Sequence, residues 1–134
     1  MKDRLALARG WIRKGDSDLA DARRTVASEG PYDTACFHVQ QAAEKYLKAL
    51  PAWHGQAIPR SHDLEEIQDQ CERVERLPAL VELDLADLTG YAVELRYDAD
   101  FWPDQSTAAE AVALAERVRS IVISVLPADP PETG

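Results

Sequence analysis

At 134 residues, with 46% apolar and 29% charged side chains, the chain has the size and composition of one soluble globular domain rather than a disordered segment. No run approaches the roughly eighteen apolar residues of a membrane span. Met1 to Leu5 lead straight into a polar helical pattern without the apolar region of a secretory signal, so a cytoplasmic location is expected. The net charge of −9, from 15 basic and 24 acidic residues, opposes sequence-independent nucleic-acid binding, which depends on cations replacing counterions along phosphates; RNA has to be argued from a local site.

The first apolar stripe runs through Leu5, Ala8, Ile12, Gly15, Leu19, Ala22 and Val26 in steps of three and four, and predicts a helix over about 3–27. Trp11 and Leu7 widen it. Gly15, a residue that costs roughly 1 kcal/mol against Ala inside a helix, marks close helix approach. Ser28 to Pro31 break the pattern. A second helix is expected over about 32–50, with Cys36, Val39, Ala43, Tyr46 and Leu50 inward, Ala42 and Leu47 beside them, and Pro51 ending or kinking it. Its other face carries His38, Gln41, Lys45 and Lys48. After a loop, Asp63 and Glu66 form a capping-box pattern that opens a short third helix, Leu64 to about Val74.

Pro78 separates this from a fourth helix over about 79–95, with Val81, Leu85, Leu88, Ala92 and Leu95 on its core side. An irregular stretch over 96–105 precedes a second capping-box pattern, Thr107 with Glu110. That pattern opens a fifth helix to about Leu126, with Ala111, Ala115, Val118, Ile121, Val122 and Val125 inward. The Pro-rich tail 127–134 is expected to be disordered. With short connections and no strand-like alternation, the expected fold is all-α: a single domain over 1–126, an up-and-down antiparallel bundle of about five helices.

Cys36 and Cys71 match neither a metal nor a redox spacing and read as buried free thiols. Asp98, Asp100 and Asp104 lack the third ligand and the Gly of a calcium loop, and read as a hydrated acidic loop. Phe101 and Trp102 are either a lid on the core or part of a partner surface.

Three separated motifs stand in order along the chain: His38 to Leu50, with Gln40-Gln41-Ala42-Ala43-Glu44-Lys45 at its centre; Pro59 to Leu64, containing His62; and Arg96-Tyr97. Together with Trp11, Ile12, Asp18, Leu19 and Ala22 in the opening helix, they resemble the HEPN family (higher eukaryotes and prokaryotes nucleotide-binding domain) over about residues 3–126. The resemblance implies a helical bundle and leaves the activity open. Many prokaryotic members partner small nucleotidyltransferases, often in toxin–antitoxin pairs. Some are metal-independent ribonucleases, and others bind nucleotides or act as non-catalytic partners. Members commonly pair, and the small residues of the first stripe allow close contact, so a homodimer is expected.

Ribonuclease members carry an Arg, four to six residues, then a His. One group handles a proton while the cation stabilises the charged phosphorane. After Arg96 those positions hold Phe101, Trp102 and Pro103, and Arg60 stands too near His62. No catalytic residue is therefore assigned, and no metal or cofactor is expected. Arg96 either answers the dipole of its helix end or offers a bidentate fork to phosphate, with Tyr97 beside it. The strip of His38, Gln41, Lys45 and Lys48 is either the other wall of a phosphate groove or a solvated face with four-residue contacts such as Glu44–Lys48. His62 reads as fixing its loop. The nucleotide- or phosphate-binding candidates are Arg96, Tyr97, Lys45 and His38. Three functions stay open: a non-catalytic or regulatory nucleotide-binding partner of a nucleotidyltransferase, an atypical ribonuclease toxin, and a structural dimeric interaction module.

Overall fold

A computed structural model describes residues 3–128; within it the side chains of Ala92, Val93, Leu95 and Arg96 are outside the described set, as is tail segment 129–134. Among the described residues the chain is all-helical, with six helices: α1 (Arg4–Val26), α2 (Asp33–Trp53), α3 (Leu64–Val74), α4 (Pro78–Val81), α5 (Ala86–Tyr97) and α6 (Gln105–Ser124). The expected bundle is present, with six helices where the periodicity predicted five.

Helix α2 is the centre. Its Ala35, Cys36, Val39, Ala43, Tyr46, Leu47 and Leu50 are fully buried, because α1 and α6 cover one side of it and α3 and α5 another. Asp3 caps α1 by accepting from Leu5 N at 3.0 Å, and Arg23 and Arg24 lie in its last turn, where the helix dipole favours cations. The centre of the α1 stripe is as expected, with Ala8, Ile12, Gly15, Leu19 and Ala22 buried; Leu5 and Val26 at its ends are half-buried, and Leu7, expected to widen it, is exposed. A Cβ on Gly15 would lie 2.6 Å from the Tyr46 ring, so the close approach marked by this glycine is made to α2 of the same chain. The small residues that suggested a dimer face are thus occupied inside the monomer.

Pro51 neither ends nor visibly breaks α2, which continues to Trp53. Proline has no N–H to give the carbonyl four residues back, that of Leu47. Cys71 of α3 supplies a substitute, its thiol donating to Leu47 O at 3.2 Å. Burial pushes the Cys71 thiol up to about 12, and burial with the nearby charges of Asp33 and Glu94 pushes Cys36 to about 11. Both are buried free thiols, unreactive at neutral pH.

The other boundaries depart from the expected ones for identifiable reasons. Asp63 caps α3 through Glu65 N and Glu66 N, but the return arm of the capping box is missing: Ser61 Oγ accepts from Asp63 N and donates to the Glu66 carboxylate. The single helix predicted over 79–95 is two. Gln68 of α3 donates its amide to Leu80 O (2.6 Å) and Leu83 O (3.0 Å), and Asp84 takes up Ala86 N at the start of α5. Carbonyls that a continuous helix would direct to its own next turn are drawn sideways to α3. As a result Leu85, expected inside a helix, lies in the connection with its side chain fully buried, while Val81 faces solvent, 43% exposed. Finally, Asp104 and not Thr107 caps α6, accepting from Thr107 N at 2.8 Å. The backbone and hydroxyl of Thr107 hold the Asp104 carboxyl below its ordinary range.

Candidate functional site

Helix geometry places three polar groups of α2 at different angles around it, and each meets a different partner. On the α1 side, Asp18 stands between His38 and Lys45. Its carboxylate accepts from His38 Nδ1 at 3.1 Å and from Lys45 Nζ at 2.5 Å. The structure therefore brings two of the four candidates together, but around a carboxylate of their own chain. Asp18 leaves little uncompensated positive charge for an incoming phosphate.

Toward the loop before α3, Gln40, Glu44 and Lys48 form a ladder at four-residue spacing, with all three buried. Gln40 donates to His62 O at 3.2 Å and accepts from Gln41. Glu44 accepts from His62 Nδ1 at 2.8 Å and lies 3.5 Å from Lys48 Nζ, which sits over the Trp11 ring. A lone buried carboxylate would cost several kcal/mol, so these partners are what allow Glu44 to be inside. The strip read as groove wall or solvated face is in part a buried polar seam. His62 fixes its loop as expected, through both its backbone and its ring. His54 does the same at the other end of that loop, donating from Nε2 to Glu75 at 2.7 Å.

Toward α6, Asp16 accepts from Tyr46 OH at 2.6 Å and from Arg119 Nε and Nη2 at 2.7 and 3.1 Å. Burial raises the Asp16 carboxyl, but the bonds from Arg119 and Tyr46, with the charges of Arg119 and Arg23, outweigh it and hold the group below 3.8. A depressed carboxyl contributes stability above its unfolded value and loses it as pH falls through the folded one. Asp16→Asn is expected to cost on the order of 1 kcal/mol at pH 7, the site being partly solvated. In urea unfolding the gap from the unaltered protein should close as the pH is taken below about 4. A gap that widens in acid would assign the stabilisation to another group.

Of the remaining candidates, Tyr97 ends α5 and is 81% exposed. Arg96 precedes it in the last helical turn, and its side chain lies outside the described residues. Phe101 and Trp102, which the sequence left undivided, separate: Phe101 packs on Tyr91 with ring centroids 5.7 Å apart, and Trp102 is 65% exposed. Asp98 and Asp104 serve as local caps, accepting from Asp100 N and Thr107 N.

Sequence reasoning anticipated the Glu44–Lys48 contact but missed Asp16, the pairing of Asp18 with His38 and Lys45, and that of Glu44 with His62. It also missed a concentration of cations that was countable. Residues 1–24 hold seven of the 15 basic residues but only four of the 24 acidic ones, so an acidic chain opens with a basic helix. Two concavities lie along that helix. One, of about 460 Å³ between α1 and α6, is lined by Arg9, Arg13, Asp16, Arg119 and apolar residues including Ile12 and Ile123. The other, of about 750 Å³, runs past Leu7, Gly10, Trp11, Arg13, Lys14 and Lys45. Among the described residues no helix is long and apolar enough to cross a membrane.

A family model described as the HEPN domain matches the chain over residues 8–125. No curated protein and no solved structure matches the chain significantly.

Proposed function

The chain belongs to the HEPN domain family, and from that premise we propose that it is a non-catalytic or regulatory nucleotide-binding module that partners a nucleotidyltransferase in a toxin–antitoxin-like pair. The observation that carries the non-catalytic part is the use of its histidines. His38, His54 and His62 are each paired with a carboxylate from another segment, Asp18, Glu75 and Glu44, and each pair joins two parts of the fold. The family's ribonucleases need a histidine separated from the arginine by four to six intervening residues. Here Phe101, Trp102 and Pro103 occupy that spacing after Arg96.

Within this proposal Arg96 offers phosphate a guanidinium fork from the end of α5, with the exposed Tyr97 ring beside it. Lys45 and His38 contribute only in exchange for part of their hold on Asp18. Homodimerisation and the nucleotidyltransferase contact are part of the same proposal. The exposed Tyr97 and Trp102 rings flank the α5–α6 connection and supply aromatic surface of the kind enriched at interfaces.

Arg96→Ala is expected to weaken nucleotide or RNA-backbone binding by about 1–3 kcal/mol. The melting temperature should stay nearly unchanged, because within this proposal the lost contact is one to ligand. Calorimetric titration alongside thermal unfolding reads both. Metal-independent cleavage of single-stranded RNA by the unaltered protein, abolished in Arg96→Ala, would overturn the non-catalytic reading in favour of a ribonuclease.

A further inference from the structure

Helix α1 contains two glycines near its middle, and only one is explained by the chain itself. Gly15 makes room for the Tyr46 ring. Gly10 makes room for nothing: a Cβ built there meets no atom within 4 Å, yet the residue keeps the unfavourable helix propensity of glycine. It forms part of the groove of about 750 Å³ that also presents Leu7, 37% exposed, and the half-buried indole of Trp11. Arg13 and Lys14 stand at the same groove, both exposed, and among the described residues neither is in an ion pair. An apolar bed, an indole, a missing side chain and two available cations thus share one concavity.

We propose that this groove is a nucleotide site, with a nucleobase lying over Gly10 beside Trp11 and Leu7 and the phosphates held by Arg13 and Lys14. Charge selects the occupant. Residues 1–24 carry a net +3 and the rest of the chain −12, so an anion is drawn toward the α1 segment, where Arg13 and Lys14 stand at the groove. A second copy of the chain docking here would set Arg13 and Lys14 against their own counterparts. An aromatic ring beside cations is the arrangement that takes a base and its phosphates together. The inference rests on the nucleotide-binding reading above and adds to the contact proposed at the end of α5 a second one on the outer face of α1.

The test is titration of the full chain with ATP, adenosine and inorganic triphosphate, read by calorimetry. ATP is expected to bind at least tenfold more tightly than either fragment. Arg13→Glu with Lys14→Glu should weaken it at least tenfold. Gly10→Leu is the sharper variant, because its Cβ enters open space at the groove and the change improves helix propensity. It should weaken ATP at least tenfold while raising the melting temperature by about 2–5 °C. ATP binding that survives both variants but is lost in Arg96→Ala would overturn this site and leave the nucleotide-binding reading standing. Triphosphate binding as tightly as ATP would remove the base contact and overturn the proposal. Absence of ATP binding to the unaltered protein would overturn both. A concentration-dependent dimer broken by Gly10→Leu would place a second copy on this face and overturn it as well.

Discussion

Tyr46→Ala is expected to destabilise the protein by about 3–5 kcal/mol, read as a lower midpoint in urea with an unchanged slope. Two losses add. The ring is fully buried at the contact between α1 and α2, directly over Gly15, and its removal leaves a cavity at that close approach. The hydroxyl is one of the groups holding Asp16, so Tyr46→Phe isolates that part and should cost only about 1 kcal/mol. The packing claim has its own check in a double-mutant cycle. In the unaltered protein Gly15→Ala should be destabilising, since its Cβ would press on the ring at 2.6 Å. In the Tyr46→Ala background the same change should stabilise, because only the helix-propensity gain remains. If Gly15→Ala has the same sign in both backgrounds, the ring does not occupy that space.

Leu85→Ala is expected to cost about 2–5 kcal/mol, and Val81→Ala within about 0.5 kcal/mol. Both positions lie on one stripe of the single helix predicted over 79–95. In the structure that helix is interrupted after Val81, so the two side chains part company: Leu85 is fully buried and Val81 is 43% exposed. Denaturant unfolding of the two variants therefore measures the interruption directly. Comparable costs would mean an unbroken helix that buries both residues.

Helix existence was legible because its signal is local. A stripe recurring every three to four residues declares which face is apolar whatever the neighbour: the stripe of α2 emerged buried, and those of α1 and α6 emerged buried at their centres with Leu5, Val26, Ile121 and Val125 half-buried. Boundaries were less legible where a side chain from another helix intervened. Nothing near residue 80 announces that Gln68 will take the carbonyls of Leu80 and Leu83, and nothing near Pro51 announces the thiol of Cys71 on the carbonyl of Leu47.

The candidate site divides along the same line. The sequence by itself determined the all-helical bundle, the order of motifs that marks the family, and the missing histidine after Arg96, all of which are questions of residue type and spacing. Only the tertiary structure decided what the polar residues of α2 face. Lys45 and His38 are twenty or more positions from Asp18 in the chain, and Tyr46 is thirty from Asp16. The physical reason is that a charge has no periodicity to betray its partner. Once α1 packs against α2, the cost of leaving a half-buried carboxylate or ammonium unpaired draws these groups together, and a strip that reads as open for phosphate becomes one already occupied by the chain's own aspartate.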